Sequence, residues 1–354
     1  MKIVLRPRVQ NEYGQDYRSS LVIERLALKP INLENEHILD KVNESEINLV
    51  ITFDPEDAIC SDDIMLLSKT IPIISHYQLQ WNFQKSTARE IAKKTIDRSD
   101  AVIVPADFLK KYMEMKFPQK KIELINNGAD EKIFNCSNLN ERKIFKKKLN
   151  IPEDDFIFIY VGGLTKQKGF QILSELCKII TQNNHLLFYC KRSSSNEKEI
   201  NKLKLINPQH IHYLPDDSYS SRRSHPVKLC DCLISSSLSE VAPMVVIEAL
   251  LSGIRVLATD STPFYKELPN VILEKRYLQL IDLPDKIKNL SWDILCLDSD
   301  AVPPILDSLI KYINDIEFIP DDERQLLSEI MVRGGYVASQ MVNEYKKIYD
   351  EIST

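Results

Sequence analysis

From one end of the chain to the other, short runs of β-branched and apolar residues alternate with amphipathic stretches of helical length. A chain patterned in this way builds parallel sheets covered on both faces by helices, the α/β class. In the first half the strands are expected at 2–6 (KIVLR), 47–53 (INLVITF), 71–75 (IPIIS), 101–104 (AVIV) and 122–126 (IELIN). The stretch 83–97 reads as a helix, with Phe83, Ala88, Ile91, Ala92 and Ile96 forming a stripe opposite Lys85, Arg89, Lys93 and Lys94. The polar, cationic stretch 135–150 interrupts the alternation and is read as the interdomain connection, its lysines a solvated helix face. The pattern then restarts with strands expected at 156–161, 186–190, 211–214, 232–236 and 255–259. A final helix is expected at 335–352, with Val337, Met341, Tyr345, Ile348 and Tyr349 on one side.

At 354 residues the chain exceeds the usual ~150 per domain, so two domains are expected. Their bounds are read as 1–138 and 150–330, with residues 335–354 closing back on the first. No apolar run reaches the ~18 residues of a spanning helix, and the start MKIVLRPRVQ turns charged too early for a secretory signal, which points to the cytosol. Seven scattered cysteines fit reduced thiols rather than a disulfide framework. Cys230 and Cys232 form the one close pair, and without further ligands nearby they read as buried apolar side chains. A net charge of −5 argues against nucleic acid as a partner, because phosphate contacts need a basic field.

Chemistry concentrates in SSSLSEVAPMVVIEALLSGIRVLATD, residues 235–260. The segment leaves a strand end, crosses a short loop and starts a helix at Pro243. Carboxyl ends of parallel strands are where such sheets bind ligands. The first amides of that helix, Met244, Val245 and Val246, together with its dipole, suit a phosphate or diphosphate. Glu240 precedes the helix and Glu248 lies within it, so a carboxylate flanks each side of the anion site. Carboxylates accept from sugar hydroxyls, and the order sugar, diphosphate, sugar describes a nucleotide-sugar. Taken singly, Glu240 reads as a dipole-favoured first-turn residue and Glu248 as an exposed helix glutamate.

E-V-A-P-M-V-V-I-E-A resembles the E-x7-E element of glycosyltransferase family four, retaining enzymes of GT-B fold, and L-L-S-G-I-R-V-L-A-T-D is similar to its sequel. S-D-A-V-I-V-P-A (99–106), I-N-N-G-A-D (125–130) and V-G-G-L-T-K-Q-K-G (161–169) resemble further family motifs in the same order, and His76 follows a strand where the family has a histidine near the donor sugar. The resemblance implies two Rossmann-like domains facing a central cleft, the C-terminal one holding the nucleotide-sugar. It gives Glu248 to the ribose and Glu240 with the following backbone amides to the transferred sugar, and it counts Val241, Ala242 and Pro243 among the donor-site residues. Lys168 goes to the diphosphate, where an ammonium offsets charge on the leaving group. Glu240, Lys168 and His76 are the implied catalytic residues; Gly14, Gly162, Gly163 and Leu214 complete the implied donor site. No cofactor and no metal are implied; the partners are a nucleotide-sugar, UDP-glucose ahead of GDP-sugars, and a saccharide or lipid-linked acceptor reached with or without peripheral membrane contact.

Three departures bear on this. Gly163 stands where the family has an arginine, and Arg192, Arg222, Arg223 and Lys166 are the candidates to replace it. Gly14 is the one glycine before Gly128, where the family's first loop is glycine-rich. Val241 and Ala242 stand where glycine and an aromatic are common. A GT-B scaffold that binds a sugar nucleotide or a partner without turnover is the alternative. A dinucleotide-dependent oxidoreductase is excluded because KIVLRPRVQNEYG holds no G-x-G-x-x-G, and G-G-L-T-K-Q-K-G is not a Walker loop because its lysine precedes the final glycine. Asp298 and Asp300 form a D-x-D in a late linker-like stretch and are not assigned a metal.

Overall fold

The computed structural model describes residues 2–7, 22–33, 38, 42–53, 58–77, 86–181, 183–216, 225–288 and 301–353. Gly14, Phe83, Arg222, Arg223, Asp298 and Asp300 lie outside them. The chain divides into two units, one of residues 1–128, 291–293 and 338–354, the other of 129–290 and 294–337.

The first unit carries β1 (Lys2–Pro7), β2 (Lys29–Leu33), β3 (Leu49–Thr52), β4 (Ile73–His76), β5 (Ala101–Val104) and β6 (Lys121–Leu124). All pair in parallel in the order β2-β1-β3-β4-β5-β6. Helices α1 (Ala58–Leu66), α2 (Ser86–Arg98) and α3 (Asp107–Lys116) connect the later strands. Every residue of β3, β4 and β5 is buried, which is why these strands read as continuous apolar runs rather than as alternation.

The second unit opens with α4 (Leu139–Lys148) and continues through β7 (Phe156–Val161), α5 (Phe170–Ile179), β8 (Asn184–Lys191), α6 (Ser194–Ile206), β9 (Ile211–Asp216), β10 (Cys232–Ser235), α7 (Met244–Leu251), β11 (Arg255–Thr259), α8 (Asn270–Glu274), β12 (Leu278–Ile281) and α9 (Asp285–Lys288). Helices α10 (Val302–Asp315) and α11 (Asp321–Arg333) follow. Its parallel sheet runs β12-β11-β10-β7-β8-β9. The strand order therefore reverses between β7 and β10, and ligands of such sheets bind at the carboxyl ends of the strands that flank a reversal.

Two strands escape the sequence pattern, and both are sheet edges: β2, which carries Pro30, and the four-residue β12. An edge strand tolerates proline and needs no long apolar run, so its signal is weak. The stretch 135–150 is not a loose connection. Asn138 accepts from the Glu141 amide at 2.9 Å and Glu141 accepts from the Asn138 amide at 2.9 Å, a reciprocal cap that starts α4, and the chain passes between units at Gly128–Ala129 instead. Lys143, Lys147 and Lys148 are solvated, but Lys146 is buried and donates to the carbonyls of Glu153 and Asp155, 3.6 Å from the Asp231 carboxylate.

The last helix, α12 (Ala338–Ile352), belongs to the first unit. Its Ala338, Met341, Val342, Tyr345 and Tyr349 pack on Val4, Leu49, Ile51, Phe53 and Ile103. Among the described residues no helix is long and apolar enough to cross a membrane. Cys230 and Cys232 are fully buried, with their thiols on the carbonyls of Pro226 and Leu233.

At the amino edge of the second sheet, Asp155 accepts from His185 Nε2 at 3.0 Å, and His185 Nδ1 shares a hydrogen bond with His212 Nε2 at 3.0 Å. Burial, and then the neighbouring His185, Lys204 and His210, pushes His212 down to about 4 from 6.5. The folded state favours neutral His212, so this ring contributes stability above pH 6.5 that is lost as pH falls toward 4. The unfolding free energy of the wild type is expected to fall more steeply between those values than that of His212→Gln, as chemical denaturation at stepped pH will read; parallel curves would contradict it.

Candidate functional site

The site assembles from the two loops that leave β7 and β10 at the reversal point. After Val161 the chain turns through Gly162, whose φ of 140° is open to glycine alone, and the Tyr160 hydroxyl donates to the Gly163 carbonyl at 2.7 Å. Thr165 closes the loop by accepting from the Lys168 amide at 3.3 Å, and Gly169 starts α5 in the left-handed region with φ 68°. A Cβ on Gly169 would stand 1.9 Å from the Ser236 carbonyl oxygen, so the absent side chain is what lets the two loops touch.

The loops are then stitched. The Ser236 hydroxyl donates to the Lys168 carbonyl at 2.7 Å, the Leu238 amide to the Gln167 carbonyl at 2.7 Å, and Gln167 Nε2 to the Ser239 carbonyl at 3.3 Å. From the other side, the loop after β11 holds the same segment. The Glu240 amide donates to the Ser261 carbonyl at 3.2 Å and the Thr262 hydroxyl to the Val241 carbonyl at 2.6 Å. Fixed on both flanks, Glu240 meets Lys168 with 2.6 Å between Oε1 and Nζ.

Helix α7 begins one residue later than the sequence suggests. Pro243 has ψ 114° and is the residue before the helix rather than its first turn. The Val246 amide donates to the Pro243 carbonyl at 3.2 Å, which commits it within the turn and leaves Met244 and Val245 as the amides available to an anion. Glu248 is 3% exposed, so it is not a solvated helix glutamate. Val241 and Ala242 are also buried, and what they offer a ligand is backbone.

The structure does not bring every expected residue to this place. His76 is 1% exposed in the core of the first unit, its Nε2 2.8 Å from the Tyr349 hydroxyl and its ring packed on Phe53 and Tyr345. As placed it anchors α12 through the Tyr349 hydroxyl within the first unit. Leu214 lies on β9, with β8 between it and β7. Of the candidates for the missing arginine, Lys166 is exposed on the β7 loop, and Arg192 pairs with Glu197 at 3.2 Å beyond β8. Among the described residues no group of three or more His, Cys, Asp or Glu side chains is placed to hold a metal. Ser236, Gln167 and Thr262 were missed by sequence reasoning; the only signal was the run of hydroxyl residues directly after β10.

Two parallel six-stranded sheets flanked by helices, the second carrying a stitched loop pair at its reversal point, define the GT-B fold. The chain aligns over 99% of its length with all of Anabaena HepE, a structure solved in complex with UDP, at a TM-score of 0.72 and 13% identity. Residues 141–270 match the family model described as glycosyl transferases group 1. An uncharacterized glycosyltransferase of Methanocaldococcus jannaschii is 28% identical over 63% of this chain and 58% of its own length. The O-antigen biosynthesis glycosyltransferase WclY of Escherichia coli is 26% identical over 66% of this chain and 57% of its own length. The matched region thus spans little more than half of these curated relatives.

Because the contact between the loops leaves no room for a methyl group, Gly169→Ala is expected to cost at least ~2 kcal/mol of stability, combining overpacking with left-handed strain. Denaturant titration measures it, and an unchanged midpoint would show that the loops separate freely.

Proposed function

We propose that the protein is a retaining glycosyltransferase that passes a hexose from a nucleotide-diphosphate sugar to a hydroxyl of a saccharide or glycolipid acceptor, without a metal. The observation that carries this reading is the loop pair at the reversal point, which sets the Lys168 ammonium, the Glu240 carboxylate and the start of α7 on one sheet edge. The family match over 141–270 covers that whole assembly. UDP-glucose is the first donor to test, supported by the neighbouring fold of HepE, solved with UDP; GDP-sugars come second. A polysaccharide or lipid-linked saccharide acceptor agrees with the relative named for O-antigen biosynthesis.

In this reading the diphosphate lies against the Met244 and Val245 amides with Lys168 beside it. Both favour the charge that builds on the leaving phosphate as the glycosidic bond breaks. The departing phosphate oxygen takes the acceptor proton on the same face, so no protein nucleophile is required and the anomeric configuration is kept. Glu240 accepts from hydroxyls of the transferred sugar, and its charge favours the positive ring of the transition state. Buried Glu248 accepts from the ribose hydroxyls.

Thermal shift against a panel of nucleotide-sugars tests the donor class, since a ligand at 100 times its Kd stabilises by about 2.7 kcal/mol. Glu248→Gln is expected to raise donor KM roughly tenfold to a hundredfold with kcat less affected, because a charged hydrogen bond present before and during reaction contributes about 1.5–3 kcal/mol. Steady-state kinetics separates the two constants; a fall confined to kcat would remove Glu248 from the ribose. Turnover is also expected to persist in excess EDTA, and abolition by EDTA with restoration by Mn²⁺ would refute the metal-free mechanism.

A further inference from the structure

Lys168 and Glu240 are assigned to neighbouring parts of one ligand, yet in the structure they hold each other at 2.6 Å, with side chains 27% and 14% exposed. Shielding of this degree makes the pair worth more than a solvated surface ion pair. Nor can the loops drift apart to relax it. The Lys168 carbonyl is fixed by Ser236 and its amide by Thr165, while the Glu240 amide is fixed by Ser261. A ligand that takes the ammonium therefore competes for it with a carboxylate whose backbone is held in place.

We propose that the Lys168–Glu240 ion pair discriminates the nucleotide-sugar from the nucleoside diphosphate it leaves behind. The proposal rests on the reading of Lys168 as the diphosphate ligand and Glu240 as the sugar ligand. A nucleotide-sugar that recruits Lys168 to its phosphates brings sugar hydroxyls to the Glu240 carboxylate, so one set of polar contacts replaces another. A nucleoside diphosphate recruits the same lysine and brings no hydroxyl in exchange. The cost of loosening the ion pair is therefore offset by sugar hydroxyls for the donor and left without that offset for the product. Product binds less tightly than its phosphates would otherwise allow, and departs more readily once the sugar has gone. Glu240 thereby acts in product release as well as on the sugar.

Calorimetry with UDP and UDP-glucose, and with GDP and GDP-mannose beside them, on the full chain tests this. Glu240→Gln removes the charge and keeps the shape, so the nucleoside diphosphate that binds the wild type is expected to bind roughly five- to tenfold tighter. The matching nucleotide-sugar gains nothing or weakens, so the preference for donor over product shrinks by at least that factor. In a Lys168→Gln background the same substitution is expected to give no gain. Glu240→Asp, which withdraws the carboxylate by one methylene, moves product affinity in the same direction by less, and thermal unfolding of each variant verifies that it folds. Unchanged or weaker diphosphate binding in Glu240→Gln overturns the proposal. So does a gain that survives Lys168→Gln, since that would be a general field effect of one negative charge on the phosphates. A wild type that binds none of the four probes refutes the functional reading itself, and the proposal with it; that result is distinct from binding left unaltered by the substitution.

Discussion

The contact between Gly169 and the Ser236 carbonyl is the constraint on which the rest of the second unit's chemistry depends. With a Cβ standing 1.9 Å from that oxygen, any other residue would force the β7 and β10 loops apart. Together they bring the end of one loop, Lys168, to the end of the other, Glu240. The neighbouring hydrogen bonds from Ser236, Leu238 and Gln167 then hold the two loops in register. The reversal of strand order supplies the gap that this seam lines, because no crossover helix is obliged to pack over it.

Charge follows from that geometry. The edge carries one lysine against one part-exposed carboxylate, a second carboxylate buried in α7, and a helix start with two uncommitted amides. Gly163 contributes no cation where the resembled family has an arginine, so in the proposed reading Lys168 and the Met244 and Val245 amides are the described groups assigned to the diphosphate, with Lys166 exposed on the same loop. An ammonium assigned to a ligand is sensitive to whatever else it touches. This gives the ion pair with Glu240 its leverage.

The first unit is held differently. Its described core is closed by α12, whose Tyr345 and Tyr349 are almost fully buried, stack against each other and meet His76 with Tyr345 tilted and Tyr349 edge-on. A histidine after a strand looks like a ligand in the sequence, but here hydrogen bonding to Tyr349 makes it a structural anchor. The loops after β1 and β3, which flank the reversal of strand order in this sheet, fall outside the described residues, and Gly14 with them.

The α/β class, ten of the strands and the final helix were legible in the amino-acid order, because burial on both faces writes an uninterrupted apolar run and burial on one face writes a helical stripe. The edge strands β2 and β12 were not, since among the described residues each pairs on one side only and its composition is free to be polar or, in β2, to include Pro30. The loop and helix start beyond a strand end also gave Glu240, Glu248 and the start of α7 as candidates, whereas Lys168 came from the resemblance of V-G-G-L-T-K-Q-K-G to a family motif. The tertiary structure alone decided which of these meet. The 2.6 Å contact between Lys168 and Glu240 joins residues on two loops whose approach is set by one glycine, and the burial of His76 depends on a helix that returns from the far end of the chain. Periodicity and motif spacing record what each segment needs from its immediate surroundings, whereas contacts between distant segments follow from strand order and packing, which no local pattern encodes.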